Sequence, residues 1–271
     1  MPAASTSMND LSRSGVSVLS PSQVVDSLEN VVENAKISGD LKSYESFVED
    51  AVDAGINHQI RLCPALAQNH QERASTPNIG PDASKVTAVV QTTTQTDPFL
   101  PPFNSLHVGE LRDILEEDSS QGYNVLLNKF GLIKGHFLLV TKGASIAVYL
   151  YLLLLAAHTR NRPFLAFFNC GILSGASQPH KHIQFFPGHT PIERLAKVAK
   201  FENEARPFAF PQLPFAAHIK RLDKNVRSAA ADVFVDGSST EENSEEAREA
   251  VDRLSAELAM SFMAILDECT R

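Results

Sequence analysis

Several familiar sequence signals are absent from this chain of 271 residues. It has three cysteines, Cys63, Cys170 and Cys269, and none belongs to a C-x-x-C pair, so neither a zinc knuckle nor a disulfide framework is predicted. An odd number of cysteines fits a reducing compartment better than secretion. No GxGxxG and no GxxxxGK[ST] pattern occurs, which excludes the two commonest glycine-rich nucleotide loops. No internal repeat is present either.

Signals for a membrane or a nucleic-acid partner are also missing. The longest apolar run, residues 146–157, is shorter than the ~20 residues that a membrane span needs. Residues 1–20 are polar and Ser-rich and lack the apolar core of a signal peptide. The net charge of −8 and the pI near 5.6 argue against general binding to DNA or RNA. We therefore expect a soluble cytoplasmic protein, with the nucleus left open as a second location.

Hydrophobic periodicity predicts a chain of the α+β class. Residues 1–20 are predicted to be disordered, and residues 21–271 to form one domain. Helices are predicted from Pro21, over 43–52, over 145–160, and along an amphipathic C-terminal segment that begins near Val251. Strands are predicted over 60–63, 123–130, 136–142, 164–168 and 180–186, with a long polar loop at 68–98. The short connections between strands favour an antiparallel sheet.

The most informative segment is residues 169–184, which reads NCGILSGASQPHKHIQ. It joins a loop of small residues to an alternating His-x-His-x-Gln run. Because successive side chains of a strand point to opposite faces, His180, His182 and Gln184 are predicted to share one face. Three nitrogen-bearing side chains beside a Gly-Ala-Ser loop suit chemistry on a phosphate.

Transfer of a nucleotidyl group would use each part of this segment. A neutral imidazole nitrogen can attack phosphorus and form a covalent phosphoramidate, which splits one difficult displacement into two easier ones. An acceptor must hold the other ring nitrogen to fix the tautomer. The small-residue loop can bring backbone N–H groups close to the phosphate oxygens, and Gln184 adds an amide donor. An uncharged Gln is a poor proton donor, which favours transfer over hydrolysis.

Other interpretations of the same residues stay open. A His-x-His pair on a strand can also hold zinc, with His136 or His189 as a third ligand. Asn169 taken alone could simply cap a turn, and Lys129 taken alone would be an ordinary exposed lysine. Cys170 is predicted to be a packed thiol.

The longest motif resembles a known family. The run FFNCGILSGASQPHKHIQFFP at 167–187 is similar to the diadenosine tetraphosphate phosphorylases of fungi, also called ATP adenylyltransferases. These enzymes belong to the histidine triad superfamily, together with galactose-1-phosphate uridylyltransferase. Further segments resemble the same family: YNVLLNKF at 123–130, HFLLVTK at 136–142, IRLCPA at 60–65 and RPFAFPQLPF at 206–215. The resemblance spans roughly residues 22–268.

The resemblance implies a histidine-triad-like antiparallel sheet with flanking helices, and a nucleotidyltransferase that converts diadenosine tetraphosphate and phosphate into ADP and ATP, or the reverse. It implies that His182 is the nucleophile and that His180 helps to order the site. The nucleotide and its phosphates would be bound by Asn128, Lys129, Asn169, Ser174, Gly175, Ala176, Ser177, Gln178 and Gln184. The partners implied are diadenosine tetraphosphate, ATP, ADP and inorganic phosphate. No covalent cofactor is implied; a divalent cation such as Mg²⁺ is compatible with the polyphosphate charge, although no carboxylate pair for it is identifiable.

Three departures from the family pattern lead to a further expectation. A polar loop of the family is missing after Lys142, and no lysine follows the IRLCPA segment, where residues 67–70 read AQNH. The chain also stops at Arg271, whereas family members continue with strands that help to close the nucleoside pocket. We therefore expect a domain that is incomplete at its C-terminus and weakly active or inactive. A nucleotide-binding remnant of the family and a related dinucleotide hydrolase are the alternatives.

Overall fold

Helices and strands follow one another in the order α1, β1 to β5, α2, β6, β7 and α3 to α5 in this computed structural model. It describes residues 17–53, 55–65, 99–112, 122–141, 146–169, 174, 180–200, 203, 206–222, 224–233 and 245–269. The helices are α1 (Pro21–Ile37), α2 (Ile146–Thr159), α3 (Pro191–Val198), α4 (Lys224–Val233) and α5 (Glu245–Cys269). The strands are β1 (Phe47–Asp53), β2 (Ile56–Leu62), β3 (His107–Arg112), β4 (Gly122–Leu127), β5 (Phe137–Thr141), β6 (Phe164–Phe167) and β7 (His182–Pro187).

An antiparallel sheet of five strands, in the order β3-β4-β5-β7-β6, forms the centre of the fold. Strand β7 lies between β5 and β6 and is hydrogen-bonded on both sides. Strands β1 and β2 form a separate antiparallel pair. The predicted α+β class with an antiparallel sheet is confirmed.

The two faces of this sheet have different surroundings. Side chains such as Val125, Leu139 and Ile183 point to the first face, where they form the main core with α1, α2, α4 and α5. Leu138 and Val140 point to the second face and pack with Phe99 and neighbouring apolar side chains in a smaller cluster. Because side chains alternate along a strand, even-numbered residues of β5 and β7 lie on this second face.

Helix α1 shows how local sequence places the first layer. Ser20 is its N-cap and forms a capping box with Gln23, and Pro21 occupies the first turn. The apolar stripe predicted from the sequence is buried against the sheet and against α2. Helix α2 is apolar nearly all round, which suits its buried position between the sheet and other helices. No helix in the described part of the chain has both the length and the apolarity of a membrane span.

One predicted element is wrong in type. Residues 43–52 are predicted to be helical, but the chain forms β1 there and pairs with β2. Gly55, which the prediction uses as a helix stop, has φ of +75° and belongs to the tight turn between the two strands. Cross-strand pairing therefore decides the structure over a weak helical periodicity.

The other predicted elements are present with shifted ends. Strand β4 ends at Leu127, so Asn128 and Lys129 lie in the following turn, and β7 begins at His182 instead of residue 180. The sequence pattern predicts none of β3, α3 and α4. Gly109 of β3 allows the N-terminal segment to approach, since an added Cβ would lie 2.5 Å from Leu19 Cδ1. Residues 1–16 and the predicted loop at 68–98 lie outside the described residues, whereas residues 17–20 run beside β3.

Candidate active site

His182 is the first residue of β7, and its side chain is buried, with 6% of its surface exposed. Its Nδ1 lies 2.8 Å from the carbonyl oxygen of His180. Because a carbonyl oxygen only accepts hydrogen bonds, Nδ1 must carry a proton and donate it to this bond. In the neutral ring, the lone pair is then on Nε2. The backbone carbonyl group two residues earlier therefore sets the tautomer that a nucleophilic imidazole needs.

The sequence predicts that His180, His182 and Gln184 share one face of a strand. Because β7 begins at His182, strand alternation places only His182 and Gln184 on one face. The Nε2 atom of His180 donates to the backbone oxygen of Thr141, at the end of β5. This bond ties the entry of β7 to the neighbouring strand, close to the carbonyl group that orients His182.

The aromatic ring of Phe99 packs against both histidines. Its centroid lies 5.9 Å from the His180 ring and 5.3 Å from the His182 ring. The amide of Asn124 on β4 donates to the Phe99 backbone oxygen at 3.2 Å. Phe99 is 7% exposed and belongs to the apolar cluster on the second face of the sheet. The sequence argument misses this residue, because it lies more than 80 positions from the histidines and carries no motif.

Gln184 and Asn128, two of the predicted ligand-binding residues, are connected through His136. The Nε2 atom of His136 lies 3.1 Å from Gln184 Oε1 and 3.3 Å from Asn128 Nδ2. The His136 ring is buried and contacts the ring of Phe186, with centroids 4.2 Å apart. Burial lowers the pKa of His136 to about 4, although the hydrogen bond with Gln184 acts in the opposite direction. The imidazole is therefore neutral near pH 7.

Asn128 is held at both ends of its side chain. Its Oδ1 accepts from the backbone N–H of Phe130 at 3.0 Å, so its NH₂ group is the end that faces His136. Its own backbone N–H donates to the His136 carbonyl oxygen, also at 3.0 Å. The turn after β4 thus fixes this amide next to the start of β5.

Lys129 is exposed at the same turn. Its ammonium lies 5.8 Å from the centroid of the Phe130 ring. Hydrogen bonds from Ser105 hold the pKa of Asp40 below its ordinary value, and the nearby Lys129 ammonium adds a smaller effect. Within the described part of the chain, these contacts place Lys129 beside Phe130 and Asp40, and its role in a nucleotide site stays a prediction.

The remaining predicted residues lie at the end of β6 and in the loop that follows. Phe167 of β6 pairs with Gln184 of β7, and continuation of this antiparallel register would set Asn169 opposite His182. Asn169 is half-buried and Ser174 is exposed. Gly175, Ala176, Ser177 and Gln178 lie outside the described residues, so their predicted contacts with phosphate stay predictions.

The zinc interpretation gains no support from the residues that the structure describes. Among them, no group of three His, Cys, Asp or Glu side chains is placed to hold a metal ion. The His136 ring contacts two side-chain amides. His189, beyond the other end of β7, is hydrogen-bonded through Nδ1 to Glu193 Oε2 at 2.7 Å. The expected Mg²⁺ stays a prediction.

Comparison with known proteins identifies a family. The family model described as the Ap4A phosphorylase N-terminal domain matches residues 14–198, which is more than half of the chain. No curated protein sequence is significantly similar to this chain.

Solved structures of the yeast Ap4A phosphorylase Apa2 are similar in fold. One is 22% identical, with a TM-score of 0.52, and the match covers 74% of this chain and 60% of that chain. The structure in complex with AMP is 20% identical, with a TM-score of 0.55 and coverage of 91% and 73%. The structure in complex with Ap4A is 21% identical, with a TM-score of 0.59 and coverage of 93% and 74%. This chain therefore spans 60% to 74% of the length of these solved chains.

Proposed function

This chain belongs to the Ap4A phosphorylase family, and we propose that it transfers an adenylyl group from Ap4A (diadenosine tetraphosphate) to inorganic phosphate through a covalent bond to His182. The observation that carries this proposal is the hydrogen bond from His182 Nδ1 to the His180 carbonyl oxygen, which leaves the lone pair on Nε2. The Apa2 complexes with AMP and Ap4A support nucleotides of this chemical type as ligands.

In the first step, His182 Nε2 attacks the α-phosphorus of Ap4A. A bond forms between Nε2 and phosphorus, and the bond from this phosphorus to the bridging oxygen breaks, so ATP leaves with the electron pair. The adenylyl-imidazolium carries a positive charge, which the His180 carbonyl oxygen stabilises through the Nδ1–H bond. No proton has to move in this step.

In the second step, an oxygen of inorganic phosphate attacks the same phosphorus and the bond to Nε2 breaks. ADP is released and the lone pair returns to His182, in the tautomer with which the cycle began. Both displacements place more negative charge on the equatorial phosphate oxygens, which need hydrogen-bond donors. In this proposal the Gln184 amide and the loop of residues 174–178 supply these donors, and Asn128, Lys129 and Asn169 contact the nucleotide. A Mg²⁺ ion held by the polyphosphate itself would offset part of its charge.

A labelling experiment tests the nucleophile directly. The protein is incubated with Ap4A that is ³²P-labelled at its α-phosphates, quenched in base and examined for label on protein. We expect base-stable, acid-labile label, as a phosphoramidate requires, and its loss in His182→Ala. His189→Gln is the matched control, because this exposed histidine is paired with Glu193 outside the site and should leave labelling unchanged.

Two outcomes would contradict the proposal. Label that persists in His182→Ala would place the nucleophile elsewhere. A wild-type chain that binds Ap4A but acquires no label, and forms no ADP when phosphate is added, would refute transfer and would favour a nucleotide-binding remnant of the family.

A further inference from the structure

We propose that a second cavity, beside the edge strand β6, binds a small organic phosphate through cationic side chains and an apolar wall. This inference goes beyond the proposed function, because the residues that line the cavity lie in a different part of the fold from His182. We call this space the basic cavity. It has a volume of about 1120 Å³ and lies between α2, the start of β6, α3 and the start of α4.

Strand register separates the basic cavity from the candidate active site. Phe164, which lines the cavity, is the first residue of β6 and pairs with Pro187, at the opposite end of β7 from His182. The Phe164 ring contacts the ring of Phe137, which belongs to the main core on the first face of the sheet. His182 and Gln184 lie on the second face. A ligand in the basic cavity would therefore occupy a site distinct from that of the nucleophile.

Positive charge is concentrated in this cavity. Four cationic side chains line it, from Lys197, Arg221, Lys224 and Arg227, together with the single carboxylate of Glu193. The chain as a whole has the opposite balance, with 32 acidic and 24 basic residues. A cleft lined mainly by one sign of charge raises the local concentration of ions of the other sign. The basic cavity therefore favours an anionic ligand in an otherwise acidic protein.

Arg221 and Glu193 already have partners within the fold. The Arg221 guanidinium donates to the carbonyl oxygens of Ala196 and Ala199 at the C-terminal end of α3, the second at 3.2 Å. Glu193 Oε2 lies 2.7 Å from His189 Nδ1. Arg221 therefore fixes the end of α3 beside the cavity, and its charge adds to the field there.

The other three cations are available to a ligand. Within the ranges that the structure describes, Lys197, Lys224 and Arg227 have no carboxylate within ion-pair distance. Asp223, which precedes α4, lies outside these ranges. Three like charges around one cavity repel one another, and a bound phosphate group would replace that repulsion with charge-assisted hydrogen bonds.

An apolar wall indicates that the ligand is more than an inorganic ion. Leu154, Pro163, Phe164 and Leu222 also line the cavity, and Leu222 is 37% exposed. Small-molecule sites commonly have volumes of roughly 300–1,000 Å³ and combine apolar walls with a few polar groups. The basic cavity is large enough for a phosphate chain and an aromatic ring together. The chemical class that fits is a phosphorylated aromatic compound, and ADP is a suitable probe.

Calorimetric titration with ADP tests this site. We compare wild type with a cavity variant, Lys224→Gln with Arg227→Gln, which removes two cations from exposed positions of α4. Wild type should bind ADP both at the active site and in the basic cavity. In the cavity variant we expect one of the two affinities to fall about tenfold, because two largely exposed ion pairs with the ligand are lost, and the other to stay unchanged.

Two further variants serve as controls. Arg194→Gln with Lys200→Gln removes the same charge from exposed positions on and just after α3 that do not line the cavity, and should bind ADP as wild type does. Lys224→Arg with Arg227→Lys keeps both charges and should also retain binding. The proposal is overturned if the cavity variant binds ADP as wild type does. An equal loss in either control would also overturn it, because net charge or the packing of α4 would then explain the effect.

Two simpler probes identify the ligand class. Adenosine has the ring without phosphate, and tripolyphosphate has phosphate without the ring. We expect no binding of adenosine that depends on the two cations of α4, and binding of tripolyphosphate that is weaker than that of ADP. Tripolyphosphate that binds the cavity as tightly as ADP would overturn the role of the apolar wall, and adenosine that binds equally well would overturn the role of the cations.

Adenylyl labelling of His182 separates this proposal from the proposed function. The cavity variant should acquire label from Ap4A as wild type does, and loss of both labelling and ADP binding would overturn the assignment of a separate site. If wild type acquires no label but its ADP binding still depends on Lys224 and Arg227, the proposed function fails and the basic cavity stands. If labelling proceeds and ADP binding is independent of these residues, the basic cavity fails alone.

Discussion

Acidification from pH 7 to pH 5 is expected to destabilise the fold through His136. Its side chain is buried, and the pKa of the ring is lowered from 6.5 to about 4, chiefly by burial. The unfolded chain takes up a proton at this histidine as the pH falls below about 6.5, whereas the folded protein does not until about pH 4. The stability that the neutral ring contributes is therefore complete above pH 6.5 and is lost as the pH falls from 6.5 to about 4.

The size of the effect follows from the same two values. The gap between 6.5 and about 4 corresponds to about 3 kcal/mol in total, at roughly 1.4 kcal/mol for each pKa unit. About 2 kcal/mol of this is lost between pH 7 and pH 5. The described side chains that contact the ring are Gln184, Asn128 and Phe186, and none of them is charged. No nearby charge among these contacts compensates for protonation of the ring.

Urea denaturation at pH 7 and pH 5 measures this effect. The free energy of unfolding of wild type should fall by about 2 kcal/mol more than that of His136→Phe over this interval, because the variant has no proton to take up. Contributions of all other groups cancel in the comparison. The exposed His158→Gln variant controls for loss of a histidine alone and should behave as wild type. Equal losses in wild type and His136→Phe would refute the reasoning.

Three other substitutions test separate parts of the structure. Phe99→Ala removes a buried ring that contacts both histidines of the site. We expect the free energy of unfolding, measured by urea denaturation, to fall by about 3 to 5 kcal/mol, and adenylyl labelling to be slower. A free energy of unfolding equal to that of wild type would contradict this packing. Arg160→Ala removes two hydrogen bonds to Asp26 of α1, at 2.7 and 3.0 Å, made by the residue that directly follows α2. Because the Asp26 side chain is exposed and Arg160 is only partly buried, the loss should be at most about 1 kcal/mol and should shrink in high salt, whereas a salt-independent loss would contradict this account. Gly109→Ala would place a Cβ 2.5 Å from Leu19 Cδ1, so limited proteolysis should cut the N-terminal segment faster than in wild type, and unchanged protection would show that the contact is not needed.

The part of the site that lies on one strand could be predicted from the sequence. Side-chain alternation relates His182 to Gln184 without any knowledge of the fold, and that relation depends only on β7 being a strand. The acceptor for His182 Nδ1 is also local, since it is the carbonyl group two residues earlier. Short-range geometry of this kind is encoded by neighbouring residues.

The rest of the site depends on contacts between distant segments. His136 is 48 residues from Gln184, and only the register between β5 and β7 brings the two side chains together. The alternating pattern at 136–140 places His136 on the face of Leu138 and Val140, which was an available signal, but it does not identify the neighbouring strand. No motif or periodic pattern in the sequence marks Phe99 as part of the site. The helix predicted over 43–52 failed for a related reason, because the pairing partner that makes β1 a strand lies beyond the turn at Gly55.

The central position of β7 has a consequence for amide hydrogen exchange. A strand that is hydrogen-bonded on both sides cannot expose its N–H groups by fraying at an edge. Its backbone amides can therefore exchange only after the neighbouring strands separate. The amides of Ile183 and Phe185, in the middle of this sheet and buried in the main core, should therefore be among the slowest to exchange with deuterium. The strand that carries His182 would then open only when the central sheet itself comes apart.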